Sequence, residues 1–216
     1  MATTYLQAVN QVQRRLREST TVAVTTDSYS TLLGIWVNEA KREVEDAWNW
    51  NCLRQSITIT TINGTPNYQL TNVGHRARLL NVYNETDNYF LKPIHVDDAT
   101  NKFLGIGQTG SPMYYSFNGM TGDDLVLDLY PIPDADVKSI VVNMVVPQAE
   151  LTLDATAILV PAEPVILGAY MKALIERGED GSAQYEWAAK TYIHALGNAI
   201  SQDEARNQGE LTFYAV

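Results

Sequence analysis

The sequence predicts an α+β protein: a four-helix bundle formed by the N- and C-terminal helices, an inserted antiparallel β-sandwich or barrel-like module, and an extended C-terminal arm. Three observations carry this. Apolar residues recur at helical spacing in residues 4–50 and 162–205, β-branched alternation with turn signals fills the interval between, and residues 207–216 carry no helical pattern. The expected boundaries are 1–52 with 150–206 for the bundle, 53–149 for the β module and 207–216 for the arm.

The organising element is a helix expected over 28–50. Leu33, Trp36, Val37, Ala40, Val44, Ala47 and Trp48 form one apolar stripe, and Glu39, Lys41, Arg42, Glu43, Glu45 and Asp46 fill the opposite face. Asp27, Ser28 or Ser30 can cap its first amides. Trp48 and Trp50 mark the passage from helix to strand, where two indoles fill the wedge between layers and each needs a partner for its N–H. Before it, Thr3 or Thr4 caps a helix over 4–18 with the stripe Tyr5 or Leu6, Val9, Val12 and Leu16. Arg14, Arg15 and Arg17 crowd its last turn, where cations meet the negative end of the helix dipole, and they also form a candidate partner-binding group.

Residues 56–62 alternate as a strand, Asn63-Gly64-Thr65-Pro66 is turn chemistry, and Asn67–Leu70 is a second strand, which together read as a hairpin. Segments 76–83 and 89–94 flank a polar turn, as do 113–117 and 125–130, and 139–146 is the last strand. About seven short strands of this kind argue for antiparallel pairing rather than parallel crossovers. A short helical turn is expected near 97–103. Pro161 and Pro164 then open a helix that runs to Arg177, with Gly178 just past its end. A last helix starts at Asp180 or Ser182, with the stripe Tyr185, Ala188, Ala189, Tyr192, Leu196, Ala199 and Ile200.

Composition limits the function. A chain of 216 residues can bury a core without metals or disulfides, and 45% hydrophobic with 19% charged residues is a globular balance. The single Cys52 has no internal partner and reads as a small buried thiol in a reducing compartment. No leader pattern and no long apolar run occurs, so a soluble chain made in the cytoplasm is expected, with no membrane contact. Net charge is −10, and residues 85–136 hold nine acids against Lys92 and Lys102, whereas residues 51–84 hold Arg54, Arg76 and Arg78 with no acid. Such a surface repels phosphate and disfavours adhesive nucleic-acid binding.

The chemistry-bearing patterns are weak. Gly105-Ile106-Gly107-Gln108-Thr109-Gly110 has dinucleotide-loop spacing, but Ser111-Pro112 and an aromatic strand follow where a helix is needed. His75, His95 and His194 stand apart, and His95 with Asp97 and Asp98 is the nearest approach to a metal site. Asp123-Asp124 after Gly122 is turn chemistry before it is an acid/base pair. No serine or cysteine sits in a nucleophile elbow, so no catalytic residue, cofactor or metal is assigned.

Several segments together resemble the head-to-tail adaptor (connector) proteins of tailed bacteriophages. They are Thr4-Tyr5-Leu6; Ile35-Trp36-Val37-Asn38-Glu39-Ala40 leading to Trp48-Asn49-Trp50; Leu127-Asp128-Leu129-Tyr130-Pro131-Ile132-Pro133-Asp134; and Val160-Pro161 with Tyr170–Glu179. The resemblance implies a virion structural protein without catalysis, assembled as a ring of about twelve copies below the portal protein. Its partners would be the portal, other tail proteins such as a nozzle or fibres, and DNA that passes without specific binding. A β-sandwich binding module for glycan or protein, or an unrecognised hydrolase, fits the same pattern of elements. Two groups of residues are expected to serve the adaptor role. Asp97, Asp98, Asp123 and Asp124 would contribute an acidic surface to the DNA channel, and Leu211, Phe213, Tyr214 and Val216 would contact the portal or a neighbouring subunit.

Overall fold

The computed structural model describes residues 2–102, 107–134 and 137–206, an α+β protein with five α-helices among the described residues. In chain order, α1 is Tyr5–Arg15 and α2 is Ser28–Ala47, followed by β1 (Arg54–Thr60), β2 (Asn67–Gln69), β3 (Arg78–Asn84), β4 (Tyr89–Phe90) and β5 (Lys92–Pro93). Then come α3 (Val96–Lys102), β6 (Thr109–Gly110), β7 (Tyr114–Thr121), β8 (Asp124–Tyr130), β9 (Ile132–Pro133) and β10 (Ser139–Val145). The helices α4 (Ala162–Glu176) and α5 (Ala183–Glu204) complete the order. The chain divides into a unit of Met1–Leu53 with Gln148–Val216 and a unit of Arg54–Pro147.

In the first unit the caps fix where helices start. Thr4 and Gln7 make a reciprocal capping box on α1, and Asp27 and Ser30 make another on α2, with Ser30 N–H donating to Asp27 Oδ1 at 2.7 Å. Both helices are shorter than expected. α1 closes at Arg15, with Arg17 in the left-handed region at φ 62°, and α2 stops at Ala47 because Trp48 turns to extended backbone. Trp50 then folds back, fully buried, and its indole Nε1 donates to the Val44 carbonyl at 2.6 Å, satisfying one of the free carbonyls at the α2 end. Trp36, expected in the core, is only partly buried, and Trp48 likewise.

The helix α4 is the central one, packing against α1, α2 and α5. Val165, Ile166, Leu167, Ala169, Tyr170, Ala173 and Leu174 are buried, and burial against three helices is why its sequence shows little one-sidedness. Gly178, at φ 71°, ends it: Glu179 N–H reaches Leu174 O and Gly178 N–H reaches Ile175 O, both at 2.9 Å. Ser182 caps α5, which buries only Ala188, Ala199 and Asp203. The connector at 154–158 is stitched to the start of the chain, where Tyr5 N–H donates to Thr156 O and Ile158 N–H to Thr3 O, each at 2.9 Å.

The second unit holds two four-stranded sheets, ordered β1-β10-β3-β4 and β2-β8-β7-β5, and the small pair β6-β9. Neither four-stranded sheet closes on itself, so the barrel-like form of the expectation is not found among the described residues. The expected hairpin of β1 with β2 is also corrected. β1 pairs with β10 from Arg54↔Val145 to Thr60↔Ser139, while β2 pairs with β8. The turn at 63–66 carries the chain from one sheet to the other: Thr61 N–H donates to Lys138 O and Leu129 N–H donates to Pro66 O. The other two hairpins, β3 with β4 and β7 with β8, form as expected. Two two-residue pairs, β5 with β7 and β6 with β9, are parallel, an exception to the antiparallel expectation. Ile59, Val82, Ile140, Val142 and Met144 from the first sheet share one core with Tyr68, Leu127 and Leu129 from the second.

Candidate interaction surfaces

The four aspartates singled out in the sequence fall into two places. Asp97 and Asp98 are exposed in the first turn of α3, which lies at the Tyr114–Tyr130 end of the β7–β8 hairpin through Ala99, Ile94 and Tyr114. Asp123 and Asp124 are at the other end of that hairpin, about 20 Å away at the rise of a strand. The two pairs are therefore not one cluster. Asp124 is also committed locally. Its Oδ1 accepts from Val73 N–H at 3.0 Å and Gly74 N–H at 3.4 Å, and Gln69 donates to Oδ2 at 3.1 Å. Desolvation pushes its pKa up, but the amides of Val73, Gly74 and Asn72 outweigh this and hold it below the usual carboxylate value. Asp123 remains exposed in the turn beside Gly122, whose φ is 63°.

A second carboxylate organises the turn between β3 and β4. Asp87 accepts from the Ser111 hydroxyl, from Lys138 Nζ at 3.0 Å and from Asn84 Nδ2 at 3.0 Å, and these donors, Ser111 first, lower its pKa. Sequence reading missed this residue, because Ser111 and Lys138 lie 24 and 51 positions away.

His95 is exposed, with Nδ1 3.5 Å from Asp97 Oδ2, and no group of three potential ligands occurs among the described residues. In the glycine-rich segment, the part after Gly107 becomes β6 and pairs with β9, so it opens no helix. Leu211, Phe213, Tyr214 and Val216 lie outside the described residues.

Cys52 is corrected. It is exposed, not buried, and lines a pocket of about 300 Å³ with Ala2, Thr3, Trp50, Asp203 and Arg206. Partial desolvation, then the Asp203 carboxylate, hold its thiol above the ordinary pKa, which disfavours the thiolate a nucleophile needs. Asp203 itself accepts from Asn51 N–H at 3.0 Å, tying the turn after α2 to the end of α5. On α5, Trp187 and Ile193 stand outside the apolar stripe and are 56% and 66% exposed. Arg14 on α1 and Arg17, just past its end, are exposed.

These features describe a protein of two packed units whose notable side chains either tie turns or stand on open surfaces. They define no reaction centre among the described residues, and no described helix is long and apolar enough to cross a membrane. The chain belongs to the SU10 adaptor protein family, whose profile matches residues 3–212. It is thus a bacteriophage structural adaptor, a virion component of tail assembly, from a family of structural proteins rather than enzymes. The resemblance drawn from its helices and the Tyr130–Asp134 segment is to that class. No curated protein matches the chain significantly.

Proposed function

We propose that the chain is a head-to-tail adaptor that assembles as a ring of about twelve copies, joins the portal to the tail and lets DNA pass without holding it. The family match over residues 3–212 carries this reading. In it the domains are 1–52 with 150–206, 53–149 and 207–216. The four long helices act as one bundle, and the two four-stranded sheets act as a sandwich-like module. Asp97, Asp98 and Asp123 supply carboxylates to a surface that DNA slides past, with Asp124 fixing the hairpin that presents Asp123. Leu211, Phe213, Tyr214 and Val216 supply apolar anchors for the portal or a neighbouring subunit. Nozzle or fibre proteins take the lower side, and the protein performs no catalysis. Synthesis in the host cytoplasm precedes assembly.

Electron microscopy of the chain mixed with portal rings tests this. The expected result is a second ring stacked on the portal. Portal rings that stay bare while the chain stays monomeric would overturn it. One observation favours a second reading, in which the β unit binds glycan: Phe90 is 63% exposed, with its ring 5.1 Å from that of Tyr83, near the amide pair Asn143–Asn81. Retention of a monomer on glycan arrays would support that alternative.

A further inference from the structure

The strand β1, Arg54–Thr60, stands at the outer edge of its sheet. One side pairs with β10 over seven residues in unbroken register, and among the described residues no strand pairs with the other side. Alternate backbone N–H and C=O groups therefore face outward without a ladder. The remaining edges of the two large sheets follow the usual rules that blunt an edge. β2 is three residues long, β4 is two, and β5 is two residues, a lysine and a proline. β1 has none of these protections. It is long, has no proline and no bulge against β10, and its one charge, Arg54, is at its first position. Its inward side is also unfinished. Ile59 is 8% exposed, but Ile57 is only partly buried at the margin of the core. Ser56, Thr58 and Thr60 are exposed on the outward side.

We infer that β1 is a strand-docking site and that its occupant is the segment 209–216 of a neighbouring copy, added as a parallel strand. This rests on the ring reading above. The match is one of length, alternation and charge. In parallel register Glu210, the only charged side chain of the segment, lies beside Arg54, the only charged side chain of β1. Thr212, Tyr214 and Val216 then run beside Ser56, Thr58 and Thr60, while Phe213 and Ala215 run beside Ile57 and Ile59. Phe213 completes the cover of Ile57, and the backbone ladder supplies the affinity.

Two full-length chains test this, both with Cys52→Ser, one carrying Thr58→Cys and the other Tyr214→Cys. Mixed and mildly oxidised, they should give a covalent band of two chains. Phe213→Cys in place of Tyr214→Cys, which points the thiol to the opposite face, should not. Arg54→Glu should cut the band several-fold, and adding Glu210→Arg in the partner chain should restore it. Amide exchange over 54–60 should slow about tenfold or more in the assembled full chain relative to a chain ending at Gln208. Absence of the band in preparations where microscopy shows rings overturns the docking and leaves the ring reading standing. A band without rings supports the docking and overturns the ring. An intrachain link within a chain carrying both Thr58→Cys and Tyr214→Cys, with no link between chains, overturns the assignment to a neighbour.

Discussion

Lys41 and Glu45 are one turn apart on α2, on the face that the charge pattern assigns to solvent, yet both are buried at 1% and 0% exposure. Lys41 Nζ donates to Glu45 Oε1 at 2.9 Å and to the Gln148 carbonyl at 2.7 Å, while Glu45 also accepts from Gln148 N–H at 3.2 Å. The pair thus fastens the returning chain at Gln148 to the last two turns of α2. Attraction between buried charges roughly offsets their desolvation, so the arrangement is worth little until one member is lost. Lys41→Met should then cost about 3–5 kcal/mol, because Glu45 is left buried without its cation. Combining it with Glu45→Met should recover part of that loss, and urea unfolding of the two variants reads the difference. Equal stability of Lys41→Met and the parent chain would mean the pair is solvated in solution. Sequence periodicity could not show this burial, because Lys41 and Glu45 sit at the margin of the apolar stripe, where a charged side chain is enclosed only if another segment arrives to cover it.

At the scale of elements, caps and stripes were legible and strand partners were not. The starts of α1, α2 and α5 follow from Thr4, Asp27 and Ser182, each acting through atoms within three residues. The β1–β10 pairing joins residues more than 78 positions apart, and only the filled core decides it. Nor could the sequence foretell that α2 ends at Ala47, since the fold-back of Trp50 onto Val44 O depends on space inside the core. Of the candidate site, the aspartates were legible as acids, but their separation along β7–β8 was not. Gly34 shows how packing overrides propensity. Replacing a helical glycine by alanine ordinarily stabilises by about 1 kcal/mol. Here an added methyl would overlap the Tyr5 hydroxyl and the Val24 side chain, both buried. Gly34→Ala should therefore destabilise, by about 1–3 kcal/mol, measured by thermal or urea unfolding. A second expectation concerns the turns held by Asp87 and Asp124. Both carboxyls are lowered in the folded chain, so their contribution is present above the unfolded pKa of about 3.9 and is lost as pH falls through the lower folded values. Melting temperature should fall between about pH 5 and 3, and less so in a chain carrying Asp87→Asn with Asp124→Asn.

At the scale of the whole molecule, the β unit interrupts the helical one in sequence, and it starts and finishes on paired strands. Arg54 is opposite Val145, so entry and exit lie about 5 Å apart at the spacing of cross-strand neighbours. An insertion whose ends meet in this way needs no strain to join or to release it. The unit also owns its core, with Leu70, Leu127, Leu129, Ile140 and Val142 buried within residues 54–147. All four tryptophans, Trp36, Trp48, Trp50 and Trp187, belong to the other unit. Indole fluorescence therefore reports the helices, whereas the β unit can be followed by amide hydrogen exchange over residues 54–147 in the full chain, and by tyrosine signal when it is expressed alone. Residues 54–147 expressed alone should melt in one cooperative transition and keep the tyrosine environment of Tyr68 and Tyr130. In the full chain, indole fluorescence and amide exchange over 54–147 should then give separate midpoints. A gradual, non-cooperative melt of 54–147 would show instead that the β unit takes its stability from the helices.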